Sequence, residues 1–129
     1  MKDLANTLLT TAEVADRWRL KAATVRKKAA AGILPAIPTG GGYRVRVEDM
    51  WACEDGPTPR AEFQQRHLEP LLTTQDLMRR TRLCEKTIGR YVKEGLPTRN
   101  VGGNVRFDYE TARTWFTGKY GKDLLGDRA

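Results

Sequence analysis

The sequence predicts an α+β fold, mainly helical, built from two small units in tandem. Three observations lead to this prediction: an internal repeat, helix-capping signals at the start of each copy, and a glycine-rich hairpin signal in the second half of each copy. The chain has 129 residues, enough for one ordinary domain or two very small ones.

The repeat aligns residues 8–33 with residues 71–96 at an offset of 63, without a gap. Nine of the 26 aligned positions are identical, whereas chance would give about one or two identities. After Gly32 and Gly95 the offset becomes 62, and the similarity continues through a second half of different character. The duplicated unit is therefore about 45 residues long, too short for a large core.

The first half of each copy carries the signals of two helices joined by a short turn. Thr10 with Glu13, and Thr73 with Asp76, have the spacing of a capping box, in which both side chains satisfy backbone amides of the first turn. We expect a second helix over 22–31 and its copy over 85–94, because a glycine and then a proline follow each stretch. Helices this short are unstable alone and must pack within one unit.

The second half of each copy has the pattern of a β-hairpin followed by a short helix. The hairpins turn at Gly40-Gly41-Gly42 and Gly102-Gly103-Asn104, residue types that accept a positive φ. The flanking strands are expected over 34–39 and 43–47, and over 97–101 and 105–109. The closing helices are expected over 48–53 and from 108 or 109 to 117, with Met50, Trp51, Trp115 and Phe116 completing the cores.

These signals divide the chain into a first unit (1–54), a linker (55–70), a second unit (71–118) and a tail (119–129). Pro57 and Pro59 predict a stiff, extended connector, with room for a short helix over 61–68. His67 is expected on the surface of this linker. The tail, rich in Gly, Lys and Asp, is expected to be loosely ordered.

Positive charge is concentrated in the predicted second helices and the turns before them. The formal net charge is +7. Residues 17–28 contain six basic side chains and no acidic one, and residues 79–93 contain six basic side chains and one acidic one. A solvated helix face usually mixes both signs, so these stretches predict surfaces that bind a polyanion such as nucleic acid.

This sequence lacks the residues that characterise membrane proteins, secreted proteins, metalloproteins and common enzymes. No apolar run approaches the ~20 residues of a membrane span, and residues 1–9 do not resemble a secretory signal, so we expect a cytoplasmic protein. Cys53 and Cys84 lie far apart and are expected to be small, half-buried residues without a disulfide or a zinc site. With no nucleophile–base set, no paired carboxylates and no phosphate-binding glycine motif, we expect no enzyme and no metal or other cofactor.

Both copies resemble the excisionase/MerR-type winged helix-turn-helix unit. The first copy has LTTAEVA at residues 9–15, TVRK at 24–27 and GGGYRV at 40–45; the second has TIGR at 87–90 and GGNVRF at 102–107. Lys21 and Cys84 depart from the Ser or Thr that often caps the second helix in this family. No effector domain follows, so no small-molecule effector is expected.

The resemblance implies that each second helix enters the major groove of double-stranded DNA and that each hairpin is a wing touching the minor groove or backbone. The implied groove-facing residues are Ala22, Ala23, Arg26, Lys27 and Lys28, then Glu85, Lys86, Gly89 and Arg90. The implied wing contacts are Tyr43, Arg44 and Arg46, then Asn104 and Arg106. Lys21 is also expected to bind DNA. From their charge, Arg17, Arg19, Arg80 and Arg82 are expected to touch phosphates or support the turn.

Within these residues, Arg26 and Arg90 are the best candidates for base reading, because a guanidinium can grip guanine with two hydrogen bonds. The expected function is sequence-specific DNA binding, as an excisionase-like recombination factor or a small transcriptional regulator. Possible partners besides DNA are a second copy of the chain, a recombinase or the transcription machinery. The alternative is a phage-type DNA-packaging or scaffold subunit that assembles on DNA.

Overall fold

The computed structural model describes Leu4 and residues 6–127, and it divides the chain into two compact units, Met1–Pro70 and Leu71–Ala129. The described residues form six α-helices and one small three-stranded antiparallel sheet, an α+β fold that is mainly helical. The boundary between the units coincides with the start of the second repeat.

The first unit begins with a short strand and two helices. Strand β1 (Leu8–Thr10) leads into α1 (Thr11–Trp18), and α2 (Ala22–Ala30) follows after a tight turn. The expected capping box is present: the Thr10 hydroxyl accepts from the Glu13 amide, and the Glu13 carboxylate accepts from the Thr10 amide. Arg19 forms the turn in the left-handed conformation, with φ of 56°, which allows the chain to reverse into α2.

The expected hairpin of the first unit is present as β2 (Ile37–Thr39) and β3 (Gly42–Arg46), and α3 (Val47–Ala52) follows it. The sheet has the order β1-β3-β2, with Leu9 opposite Val45. Strand β1 was not predicted from the sequence, because its pairing with β3 is set by residues far along the chain. The buried core comprises Leu9, Val14, Ala15, Trp18, Val25, Leu34, Val45, Val47, Met50 and Trp51.

The segment 54–70 belongs to the first unit, so the prediction of an extended linker is wrong for most of it. It contains two 3-10 turns, Ala61–Phe63 and Arg66–Leu68, instead of one helix. Gln64 and His67 are buried, so the surface position expected for His67 is also wrong. The segment is held because the Trp51 indole donates to the His67 carbonyl oxygen at 3.0 Å, and the Leu4 amide donates to Gln64 Oε1 at 2.8 Å.

The second unit repeats the helix pair of the first. Helices α4 (Thr74–Thr81) and α5 (Glu85–Glu94) lie where the repeat predicts them, and α6 (Tyr109–Tyr120) closes the unit. The expected capping box joins Thr73 and Asp76. Arg82 forms the turn with φ of 61°, matching Arg19.

The expected two-stranded wing of the second unit is reduced to isolated bridges. Val101 and Asn104 exchange both backbone hydrogen bonds at 3.0 Å around the glycine turn, and the Arg99 amide donates to the Arg106 carbonyl oxygen at 2.7 Å. The Arg106 amide, however, donates to the Asn100 side chain. This side-chain bond takes the place of a ladder bond, so no regular strand forms over 97–101 or 105–109.

The residues after 118 are part of the second unit, so the prediction of a loosely ordered tail is wrong for those the structure describes. Helix α6 continues to Tyr120, and Leu125 is buried in the core with Leu77, Phe107 and Phe116. Arg113 forms an ion pair with Asp123 at 2.7 Å. Residues 128 and 129, for which a loosely ordered tail was also predicted, lie outside the described residues. So do residues 1–3 and 5, which belong to the stretch compared with a secretory signal.

Candidate nucleic-acid interface

Helix α2 presents a cationic surface, which we name the α2 surface and define by Lys21, Ala22, Ala23, Arg26 and Lys27. Of these, Ala22 is half-buried and the other four are exposed. Val25 lies on the opposite face and is fully buried against the core, because it follows the helical period of the apolar residues. Lys21 precedes the helix where a Ser or Thr often stands, and its side chain makes no capping hydrogen bond to α2.

No acidic residue interrupts the sequence from Arg17 to Val47. The α2 surface and both strands of the hairpin lie within this stretch, so no carboxylate from α2 or from the hairpin offsets their charge. Lys28, which was also expected to face the groove, is half-buried. The first unit therefore combines a helix whose charged side chains are all cationic with a hairpin that carries no carboxylate.

The hairpin of the first unit carries the three expected wing residues. Tyr43 and Arg44 are half-buried on β3, and Arg46 is exposed at its end. The Arg44 guanidinium donates to the Tyr43 carbonyl oxygen at 3.0 Å, and the Thr39 hydroxyl donates to the Gly42 carbonyl oxygen across the turn. The tip is thus a closed turn with the Arg44 guanidinium beside it.

Arg17 does not belong to this surface, and the prediction that it touches phosphate is wrong. Its side chain is 2% exposed. The guanidinium makes two hydrogen bonds to the Glu54 carboxylate, at 2.9 and 3.1 Å, and a third to the Glu69 carbonyl oxygen at 2.7 Å. The Trp18 indole also donates to Glu54 at 2.8 Å. A buried charge needs such full pairing, and here it fixes the segment after α3.

Arg80 occupies the same position in the second repeat and is also a structural residue. Its guanidinium donates to the carbonyl oxygens of Leu125 and Asp127, at 2.8 and 3.0 Å, and lies 5.3 Å from the centre of the Tyr109 ring. The structure thus gives Arg80 a role within its own unit, and its expected contact with phosphate stays a prediction. Arg19 and Arg82, the two turn residues, are exposed, and their expected contacts with phosphate stay a prediction.

Helix α5 of the second unit places its four expected residues, Glu85, Lys86, Gly89 and Arg90, on the exposed side. The charges are more mixed than on α2. Arg90 lies 3.6 Å from a Glu94 carboxylate oxygen, and Lys119 of α6 approaches the same carboxylate at 3.3 Å. The positive charge of α5 is therefore partly neutralised within the unit.

An open groove of about 820 Å³ runs beside α5, and we call it the α5 groove. No pattern in the sequence predicts this groove, because it forms between α5 and residues beyond the glycine turn. Its lining is a mixture of apolar and charged side chains around one glycine. The lining residues are Thr74, Glu85, Lys86, Ile88, Gly89, Val92, Lys93, Val105 and Phe107.

The two remaining wing residues of the second unit hold the glycine turn together. The Asn104 side-chain amide donates to the Val101 carbonyl oxygen at 3.1 Å, and the Arg106 guanidinium donates to the Val105 carbonyl oxygen at 2.8 Å. Both residues are half-buried. Whether they also contact DNA stays a prediction.

The two cysteines differ in environment. Cys53 is half-buried, and burial raises the pKa of its thiol, with smaller contributions from Asp49 and Glu54. Cys84 is exposed, which corrects the half-buried position expected for it. A hydrogen bond between its sulfur and the Thr87 hydroxyl, at 3.3 Å, lowers the pKa of the Cys84 thiol.

Among the described residues, no group of three or more His, Cys, Asp or Glu side chains is arranged to hold a metal ion. Within the same residues, every helix is too short or too polar to cross a bilayer.

Comparison with known proteins agrees with the geometry of the first unit. No curated protein and no solved structure matches the chain. Residues 8–50 match the model of a helix-turn-helix domain family, one that includes excisionase-like proteins. Such a domain is typical of non-catalytic proteins and implies DNA as a partner. The first unit, from β1 to the middle of α3, thus contains a DNA-binding type of helix-turn-helix domain.

Proposed function

We propose that this protein is a sequence-specific reader of double-stranded DNA that acts as an excisionase-like recombination factor or a small transcriptional regulator in the cytoplasm. The observation that carries the proposal is the exposure of Lys21, Arg26 and Lys27 on one helix of a helix-turn-helix domain, within a stretch free of acidic residues. A helix of this diameter fits the major groove, and uniform positive charge favours the phosphate backbone beside it.

In this proposal the α2 surface supplies both affinity and base reading. Arg26 reads a base edge, while Lys21 and Lys27 contact phosphates. Ala22 and Ala23 lie at the start of the helix, where small apolar side chains permit contact with thymine methyl groups. Arg44 and Arg46 on the hairpin contact the neighbouring backbone, as the wing of this class of domain does.

The second unit acts as a second reader through α5. Helix α4 has the same length as α1, and like α1 it begins with a capping box and ends in a left-handed turn. Two readers in one chain gain affinity, because the second docking step is intramolecular. The surfaces differ in charge, so the two half-sites are expected to differ in sequence.

Selection of bound duplexes from a random pool, followed by footprinting of the full chain, tests this function. We expect a motif with two half-sites and an affinity that falls steeply with salt. Salt-sensitive binding without any motif would contradict sequence-specific reading and favour the assembly role of a packaging or scaffold subunit. Absence of binding to duplex DNA would contradict both.

Two substitutions on α2 separate reading from anchoring. Arg26→Ala is expected to weaken binding to the selected duplex by about tenfold and to relax preference at one base pair, as loss of a bidentate base contact does. Lys27→Ala is expected to weaken binding to all duplexes alike and to reduce the salt slope by about one. Fluorescence anisotropy over a salt series measures both effects.

Arg60→Ala is the matched control for these substitutions. Arg60 is exposed in the first unit, outside the helix-turn-helix domain, and its removal changes the net charge equally. We expect its effect on affinity to be less than about twofold, as for a charge distant from the bound phosphates. Equal losses in all three variants would mean that net charge, and not the α2 surface, governs binding.

A further inference from the structure

Gly89 lies in the interior of α5, on its exposed side, in a place where nothing in the fold requires a glycine. Its φ is not positive, and a Cβ added there would meet no atom within 4 Å. Glycine is nevertheless a poorer helix former than alanine. The repeat places Arg26, a large cationic side chain, at the equivalent position of α2.

The missing side chain leaves the backbone of α5 accessible from the α5 groove. Gly89 lines the groove together with the apolar side chains of Ile88, Val92 and Val105. Val105 is 42% exposed, an unusual position for a large apolar side chain beside a helix that carries charged residues. The centre of this surface is therefore apolar and close to the backbone, in contrast to the α2 surface.

The edges of the groove carry charge. Lys86 and Lys93, seven residues apart on α5, are both exposed and line it, with Glu85 at one end. Two lysines beside an apolar centre suit an occupant with anionic flanks and an apolar middle. The major groove of DNA offers this combination, since phosphates flank the base edges and the thymine 5-methyl group is the apolar feature of those edges.

We propose that the second unit reads thymine through its methyl group, which enters the α5 groove beside Gly89 and contacts Val92 and Val105, while Lys86 and Lys93 contact the flanking phosphates. The proposal rests on the function proposed above. It gives the two repeats different central contacts: at the position where α2 carries Arg26, a guanidinium that hydrogen-bonds to a base edge, α5 carries Gly89, which leaves room for a thymine methyl group. Glu85 is left to accept a hydrogen bond from a neighbouring cytosine amine.

The test replaces thymine by deoxyuridine, one position at a time, in the duplex that the full chain selects from a random pool. Removing one buried methyl group is expected to weaken binding by about fourfold at one or two thymines. In Val105→Ala, the methylated and unmethylated duplexes are expected to bind with nearly equal affinity. The loss of this difference in a fully folded variant assigns the methyl contact to the groove.

Gly89→Ala tests the close approach, and Gly118→Ala is its matched control. Gly118 is also an exposed helical glycine, on α6, with open space for a Cβ. Both variants are expected to unfold at a higher urea concentration than the parent chain, because both gain helix propensity. Only Gly89→Ala is expected to bind the selected duplex more weakly, by about tenfold.

The outcomes separate this proposal from the general one. If the chain selects no duplex, the proposed function itself is wrong. If it selects a duplex but every deoxyuridine substitution and Gly89→Ala leave the affinity unchanged, DNA reading stands and the α5 groove does not bind thymine. In that second case a protein segment, and not DNA, is the occupant to seek.

Discussion

The two units share a helix pair and differ in how they complete it. In the first, a three-stranded sheet, the short helix α3 and the segment 54–70 cover α1 and α2. In the second, the sheet is reduced to isolated bridges, and the twelve-residue α6 with the segment 121–127 covers α4 and α5. The duplicated part that retains its geometry is thus the helix pair, while the covering segments have diverged.

Arg17 and Arg80 show why identity within the repeat does not identify DNA contacts. They are equivalent in sequence and lie on the first helix of each pair. Each donates to the segment that follows the third helix of its own unit, at Glu54 and Glu69 or at Leu125 and Asp127. The common arginine serves a common structural task, and under the proposed function the surface residues that differ, such as Arg26 and Gly89, are expected to determine what each unit reads.

The largest expected effect distinguishes these two arginines. Arg17→Ala should lower the free energy of unfolding of the first unit by about 3–5 kcal/mol, because it leaves the Glu54 carboxylate buried without its partner. Arg80→Ala should lower that of the second unit by about 1.5–3 kcal/mol, since it removes charge-assisted bonds to carbonyl oxygens at a half-buried site. Urea unfolding followed by tryptophan fluorescence measures both.

The position of the tryptophans allows the units to be followed separately. Trp18 and Trp51 lie in the first unit and Trp115 in the second, so Trp115→Phe leaves a signal from the first unit alone. The double variant Arg17→Met with Glu54→Leu should regain much of the stability lost in Arg17→Ala, because no charge then stays buried. If Arg17→Ala and Arg80→Ala lower the free energy of unfolding equally, burial of the Arg17–Glu54 ion pair has no additional effect on stability.

The cysteines offer a smaller and independent comparison. Because its pKa is lowered by Thr87, Cys84 has the larger thiolate fraction near neutral pH. Cys53 has the smaller one, because burial raises its pKa. Iodoacetamide should therefore alkylate Cys84 at least about tenfold faster, a rate measured by mass spectrometry of the two peptides. Thr87→Ala should slow the reaction of Cys84 and leave that of Cys53 unchanged.

Adding the selected duplex extends this measurement to DNA binding. Cys84 lies at the start of α5, so duplex DNA should slow its alkylation if the second unit docks in the major groove. Full reactivity of Cys84 in the saturated complex would instead restrict reading to the first unit.

The smallest expected effects concern the capping boxes, where the units should behave alike. The hydroxyl of Thr10 accepts from the Glu13 amide at 3.2 Å, and that of Thr73 from the Asp76 amide at 3.1 Å. Thr10→Ala and Thr73→Ala should each lower the free energy of unfolding by about 1 kcal/mol, and serine at either position should restore most of it. A loss confined to one unit would contradict the equivalence of the helix pairs.

Local signals were enough to predict the helices, and non-local contacts account for what was missed. The bounds of α5 follow from Gly95 and the repeat, and both capping boxes were predicted because the residues involved are three apart. Strand β1 and the burial of Arg17 depend on partners 34 or more residues away, at β3 and Glu54. Leu125 joins a core through residues distant in sequence, which composition alone does not indicate.

The charge of the candidate interface was predicted more accurately than its shape. Exposure of Lys21, Arg26 and Lys27 follows from the helical period, because Val25 must face the core. The α5 groove depends on where Val105 and Phe107 lie relative to α5, and that arrangement follows from the bonds around the second glycine turn. Sequence spacing does not give such a distance.

The place of Leu125 in the second core has a consequence for biosynthesis. The first unit has all its buried residues once residue 70 has been synthesised, so it can fold while the remainder is still being translated. The second unit lacks one of its core side chains, and both acceptors of Arg80, until residue 127 has been added. Helices α4 and α5 therefore stay incompletely covered until that residue has been added, and a chain truncated before Leu125 would be impaired in this unit while the first unit is spared.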